Sequence, residues 1–226
     1  MKLLKGLPIG YTAHLKDIKL INFTIDAGDL HLYIPQLPLV EIKGQPVISL
    51  LDVKLHRLRP SCLFNMFHFT YRHIAFKVLI RDNQLHPDNI SRGFFYMHSF
   101  TNRQSVARFG KLFTDFNFEY ARIKEDKNNF SLRHNNKYIN YSLDPGSFVE
   151  EDHDLKQALM QIDRAYSVND DRLKVTRVKR KSLPLQQVMC RHFETNFFEH
   201  TRLLGAFCVK EVLNYEWLPP QRCDLR

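Results

Sequence analysis

Residues 64–81, FNMFHFTYRHIAFKVLIR, form the longest uninterrupted β-type run in the chain. Aromatic and β-branched side chains dominate it, and neither Gly nor Pro breaks it. Side chains on a strand alternate between faces. His68, Thr70 and Arg72 therefore share one face with Ile74, Phe76 and Val78. Phe67, Phe69, Tyr71 and His73 share the other. A polar triad at the end of an apolar face suits the mouth of a barrel, where an arginine fork can hold a carboxylate or phosphate. The same pattern also suits a strand whose polar end faces solvent.

Other segments follow the same rhythm. Residues 17–25 read as a strand, and 27–34 as a short helix stopped by Pro35. Residues 39–58 read as a hairpin turning at Gly44-Gln45-Pro46. A strand over 93–100 leads through Thr101 into a helix near 102–113, with Val106, Phe109 and Phe113 at helical spacing. Three strands are expected over 116–143, separated by turns at 126–129 and 134–136. Asp152 and Asp154 precede Leu155, Ala158, Leu159 and Ile162, the pattern of an amphipathic helix with acidic residues at its positive end. Strands over 173–181, 187–193 and 205–215 close the chain, with a helical turn at 197–201 between the last two. About nine or ten strands follow one another with two or three small helices, so the sheet is expected to be mainly antiparallel. Long aromatic strands of this kind suit a closed or half-closed barrel.

Composition narrows the class. The chain has 226 residues, 44% hydrophobic and 25% charged, enough for one cored domain and too ordered in character for a disordered chain. It carries 18 Phe and 9 Tyr but only 8 Gly, which disfavours a nucleotide-binding fold built on Gly-rich turns. The net charge is +9, which attracts anions but is equally the mark of a soluble basic protein. Neither an apolar leader nor a membrane-spanning stretch is recognisable, and a cytoplasmic protein is expected. Cys62, Cys190, Cys208 and Cys223 form no CxxC pair, and the histidines form no ligand pair beyond His192 with Glu194. No metal and no cofactor are expected.

The basic run 172–181, RLKVTRVKRK, is the best candidate for nucleic acid or a protein partner. It reads more simply as an edge strand blunted by Lys and Arg, and it lacks the aromatic interleaving of a stacking platform.

The order of several short motifs resembles a known family. Asn22-Phe23, Asp26, Leu30 and Ile34-Pro35 look like its opening block. Gly93-Phe94-Phe95-Tyr96, a helix, and Phe118-Glu119-Tyr120-Ala121-Arg122 look like its central block. Phe197-Phe198 and residues 212–219, with Glu216-Trp217, look like its closing strand. The family is the domain of unknown function 2071, similar to the acetoacetate decarboxylase-like superfamily, and the likeness spans residues 15–220. It implies an α+β, mainly antiparallel β domain over 1–226: a curved sheet closing into a cone-like barrel around a small-molecule pocket. The superfamily's enzyme uses a Schiff-base lysine beside a second lysine. Those positions fall here on Phe116-Asn117, its first-strand arginine on Thr24, and its two glutamates near Ser49 and Thr70. Lys77 and Lys111 are the nearest lysines, and the sequence shows no cation placed beside either. The related group's Glu-x-Asn-x-Arg falls on His68, Thr70 and Arg72.

The expected function is binding of a small, anionic organic molecule in the barrel interior. Arg72 is expected to pair with the anion, His68 and His98 to hydrogen-bond it, and Tyr120 to form a wall, with Thr70 completing the ligand-binding set. Whether a reaction follows stays open, as does assembly into a homo-oligomer; nucleic acid is the weaker partner and a membrane is not expected.

Overall fold

The computed structural model describes residues 9–31, 38–61, 68–81, 92–113, 118–147, 149–150, 152–169 and 172–223. In chain order the elements are β1 (Tyr11–Ile25), α1 (Ala27–His31), β2 (Glu41–Ile42), β3 (Gln45–Pro60), β4 (Phe69–Ile80), β5 (Arg92–Thr101), α2 (Gln104–Phe113), β6 (Phe118–Tyr120) and β7 (Arg122–Asp126). They continue as β8 (Asn129–His134), β9 (Lys137–Asp144), α3 (His153–Met160), β10 (Ile162–Asn169), β11 (Arg172–Lys179), β12 (Gln186–Thr195), β13 (Thr201–Val209), β14 (Leu213–Trp217) and β15 (Gln221–Cys223).

The expected hairpin turns at Lys43 and Gly44, where both residues have positive φ. The expected helix after Asp152 forms with that residue as its N-cap, the carboxylate accepting from Leu155 N. It stops earlier than its apolar spacing suggests. Gln161 caps it by donating back to Gln157 O, and Ile162 opens β10, a strand the sequence reading did not anticipate. The single strand expected over 205–215 is two, β13 and β14, and residues 197–200 bend without forming a helical turn. Ile34-Pro35 and residues 64–67 of the long run lie outside the described residues.

Seven strands close a ring in the order β1-β3-β4-β5-β10-β11-β14 and back to β1. Neighbours are antiparallel except β5 with β10. Closure needs β1 to serve two partners along its length. Its first half pairs with β14 (Leu15 opposite Leu213) and its second half with β13 (Leu20 opposite Phe207). Register breaks in β1 between Lys16 and Lys19 and in β3 between Leu55 and Leu58 coincide with positive φ at Asp17 and Arg57. Such bulges bend a strand and raise its twist, which a closed barrel requires. From β1 the sheet also runs outward through β13, β12, β9, β8 and β7.

Two cores result, one on each side of the shared strands. One holds Leu15, Ile18, Leu20, Leu51, Val53, Leu55, Phe94 and Phe207, with Leu155 and Leu159 of α3 packed in. The other holds Ile21, Phe23, Ile48, Leu50, Ile74, Phe76 and Val78 against Phe130, Leu132, Ile139 and Tyr141 of β8 and β9. Strands β1, β3 and β4 are thus buried on both faces, which is why they read as nearly continuous apolar runs. No described helix is long and apolar enough to cross a membrane.

The basic run is not an edge. β11 lies inside the ring, paired with β10 on one side and with β14 and β15 on the other.

Candidate functional site

All seven ring strands contribute to the wall of one interior cavity of about 70 Å³. Leu15, Ile18, Leu20, Leu51, Val53, Leu55, Phe94, Leu159 and Leu183 make it largely apolar. Its polar lining is short: His73 and Lys77 of β4, Tyr96 of β5, Tyr215 of β14, and Arg180 just after β11. Among the described residues, no Asp or Glu lines it.

Lys77 is the group least at home there. Period-two alternation points it inward from a strand otherwise made for burial, and it is only 6% exposed. Its ammonium has the ring of Phe94 at 4.7 Å and, among the described residues, no carboxylate on the same cavity. Burial penalises the charged form, and the positive charge of Arg180 adds to it, so the amine is pulled down to about 7. The expectation that no cation stands beside this lysine is therefore corrected. Arg180 lies over a hundred positions away in sequence, and only ring closure brings it near.

Arg180 is held by the backbone. Its guanidinium donates to Ile162 O (2.6 Å), Met160 O (3.2 Å) and Lys181 O (3.2 Å), and lies 5.9 Å from the Tyr215 ring centre. No Asp or Glu among the described residues lines the cavity beside it. His73 packs among Tyr96, Phe118 and Tyr71, with ring centres 5.6, 5.0 and 6.4 Å away. Burial, helped by the charge of Lys77, pushes its imidazole down to about 3, so it is neutral at ordinary pH. Burial likewise raises the Tyr96 hydroxyl, and raises that of Tyr215 to about 12.

The five residues singled out in the sequence lie elsewhere, and none lines this cavity. Arg72 is on the opposite face of β4, between the two sheet layers. It donates to both oxygens of Asp52 (2.7 and 2.5 Å) and to Glu125 (2.8 Å), over the ring of Phe130. Lys19 joins through Glu125 (2.7 Å), and the Tyr141 hydroxyl donates to Asp52. The guanidinium is thus already neutralised by carboxylates of its own chain. His68 is exposed, and Thr70 accepts from Arg57 N. Tyr120 is exposed. Strict period-two alternation would put His98 on the same face as Tyr96. A bulge sets Tyr96 opposite Lys77 but His98 opposite Phe76, so His98 turns to the other layer, near Glu119 and Phe197. Phe116-Asn117 lie outside the described residues.

His73, Lys77, Tyr96, Arg180 and Tyr215 were missed. For Lys77 a signal existed: one lysine inside IAFKVLI, where both flanking faces are apolar. For Arg180 there was none, because its run read as a solvated edge. Among the described residues, no cluster of His, Cys, Asp or Glu is arranged to hold a metal ion.

No curated protein matches the sequence. Solved structures do match the fold. An acetoacetate decarboxylase from Legionella pneumophila superposes with a TM-score of 0.60 at 11% identity, over 99% of this chain and 94% of that one. Another acetoacetate decarboxylase structure gives 0.58 at 10% identity, over 94% and 88%. The enduracididine biosynthesis enzyme MppR, complexed with the condensation product of pyruvate and imidazole 4-carboxaldehyde, gives 0.54 at 8% identity, over 95% and 89%. The barrel is therefore of the acetoacetate decarboxylase-like type, as the sequence resemblance implied. Residues 12–212 match the model of an uncharacterized conserved protein family, and the chain belongs to that family, the domain of unknown function 2071.

Proposed function

We propose that this protein binds a small organic carboxylate inside the seven-stranded ring. The carrying observation is the pair of basic side chains, Lys77 and Arg180, on an apolar cavity lined by no acid among the described residues. A buried lysine beside a half-buried arginine, with no counterion among the described residues, is costly, and an anionic ligand offsets that cost. The apolar wall would hold the ligand's carbon skeleton, and Arg180, fixed by three carbonyls, would meet the carboxylate with little loss of rotamer freedom. The cavity of about 70 Å³ has room for roughly five waters at about 10–15 Å³ each, hence for a molecule of a few heavy atoms. A thermal-unfolding series with acetate, propionate, pyruvate and lactate tests this. A specific ligand raises the midpoint progressively with concentration, and Arg180→Gln removes the rise. A midpoint no different from that in matched chloride sinks the reading.

A second reading is favoured by Lys77 itself. An amine held at about 7 is substantially unprotonated at neutral pH and can condense with a carbonyl, losing water to form an imine. A structural neighbour, MppR, has been solved with pyruvate bound. Borohydride reduction in the presence of pyruvate should add the reduced adduct to the peptide carrying Lys77, and Lys77→Met should abolish it. Absence of the adduct removes this reading while leaving carboxylate binding intact.

A further inference from the structure

The polar atoms around Lys77 go beyond what a carboxylate alone explains. Along β4, His73 lines the cavity, is 5% exposed, and has no hydrogen-bond partner at Nε2. Its neighbours Tyr71, Tyr96 and Phe118 meet it as rings, so packing fixes the imidazole without satisfying it. Across the sheet, Ser49 stands directly opposite Lys77, is 0% exposed, and its hydroxyl has no partner. Asn22 stands directly opposite Ser49, also 0% exposed, with its side-chain carbonyl oxygen unpartnered. Leaving a buried polar atom without a partner is costly, and native proteins carry few such atoms. Of the three, His73 lines the cavity, while Ser49 and Asn22 lie in the row that crosses β3 and β1 from Lys77.

These groups select a partner by elimination. None of them carries charge at neutral pH, so they do not call for a second carboxylate. An ammonium group would sit beside Lys77 and Arg180 and be repelled. An aliphatic group would leave His73 unsatisfied. A hydroxyl, which both donates and accepts, fits either tautomer of His73.

We infer that the ligand is a short hydroxy acid, with its hydroxyl held by the unpartnered, cavity-lining His73 while its carboxylate meets Arg180. This rests on the proposed carboxylate site and names the ligand's class.

The test compares two carboxylates of equal size, lactate and isobutyrate, in which a hydroxyl replaces a methyl. Affinities come from titration calorimetry or the concentration dependence of the unfolding midpoint. A site built to bond a hydroxyl rejects the analogue lacking it strongly, so lactate should bind at least about tenfold more tightly. His73→Phe, which fits among the surrounding rings, should reduce that ratio to about one, and His73→Met gives the same readout if the first variant does not fold. Arg180→Gln should weaken both acids and preserve the ratio. Equal affinity of the wild type for both acids overturns the inference and leaves the carboxylate site standing, as does a preference that survives both His73 variants. Failure of both acids to bind overturns the carboxylate site and this inference together.

Discussion

Arg72 and Lys77 stand on the same strand, and the structure treats their charges in opposite ways. Arg72 is given Asp52 and Glu125; Lys77 is given an apolar cavity and a second cation. Asp52 is only 1% exposed, so removing its charge leaves the guanidinium half-compensated in a dry site. Asp52→Asn should cost about 3–5 kcal/mol in denaturant unfolding, the usual penalty for breaking a buried pair from one side. A loss below about 1 kcal/mol would mean that Glu125 alone suffices. Lys77 makes the reverse prediction. Its amine lies near 7 when folded and near 10.5 when unfolded, so below pH 7 both states are protonated and the folded state bears the whole burial cost. Between pH 7 and 10.5 only the unfolded state holds the proton, and stability rises with pH. Lys77→Met should therefore stabilise the fold by a few kcal/mol at pH 6, on the order set by ~1.4 kcal/mol per pH unit, with the gain shrinking toward pH 10. A gain independent of pH would show that the amine is not desolvated.

At the scale of elements, what the sequence hid was long-range closure and bulges. β1, β3 and β4 were legible because burial on both faces leaves long apolar runs, and the hairpin because Gly44 marks its turn. The faces of β5 were not, because a one-residue bulge near Met97 separates Tyr96 from His98 without any mark in residue type. On β4 the alternation was read correctly, but the face carrying the cavity was taken to be the one bearing Arg72. With both faces buried, hydrophobicity alone does not tell inside from outside. β10 was missed because its apolar first residue continues the helical spacing of α3. Its parallel contact with β5 depends on Gly93. A Cβ there would stand 2.3 Å from Cε2 of Tyr166, which is 0% exposed and has no solvent to swing into. Gly93→Ala should cost about 1–3 kcal/mol, as overpacked cores do. Wild-type stability of that variant would mean that β5 and β10 are free to separate.

The two cores share β1, β3, β4 and β5, so neither the ring nor the outer layer is complete without the other, and the molecule should unfold as one unit. Acid offers a way to see this, because each layer holds a group that resists protonation. Inside the ring, His73 is held at about 3 by burial and by Lys77. Between the layers, burial works to raise Glu125, but hydrogen bonds from Lys19 and Arg72 outweigh it and hold the carboxyl at about 2. Above pH 6.5 neither group binds a proton in either state, and both contributions are complete. As pH falls from 6.5 toward 3, the unfolded chain protonates its histidine while folded His73 stays neutral, and stability declines by up to about 1.4 kcal/mol per pH unit. Below 4.5 the unfolded chain also protonates Glu125 while the folded one does not, steepening the loss down to about pH 2. His73→Phe should flatten the first limb and Glu125→Gln the second, each measured as unfolding free energy against pH. In both variants near-UV and far-UV signals should still change together, since one transition carries both layers. Two separate transitions, each sensitive to only one of the substitutions, would show instead that the ring and the outer layer are independent folding units.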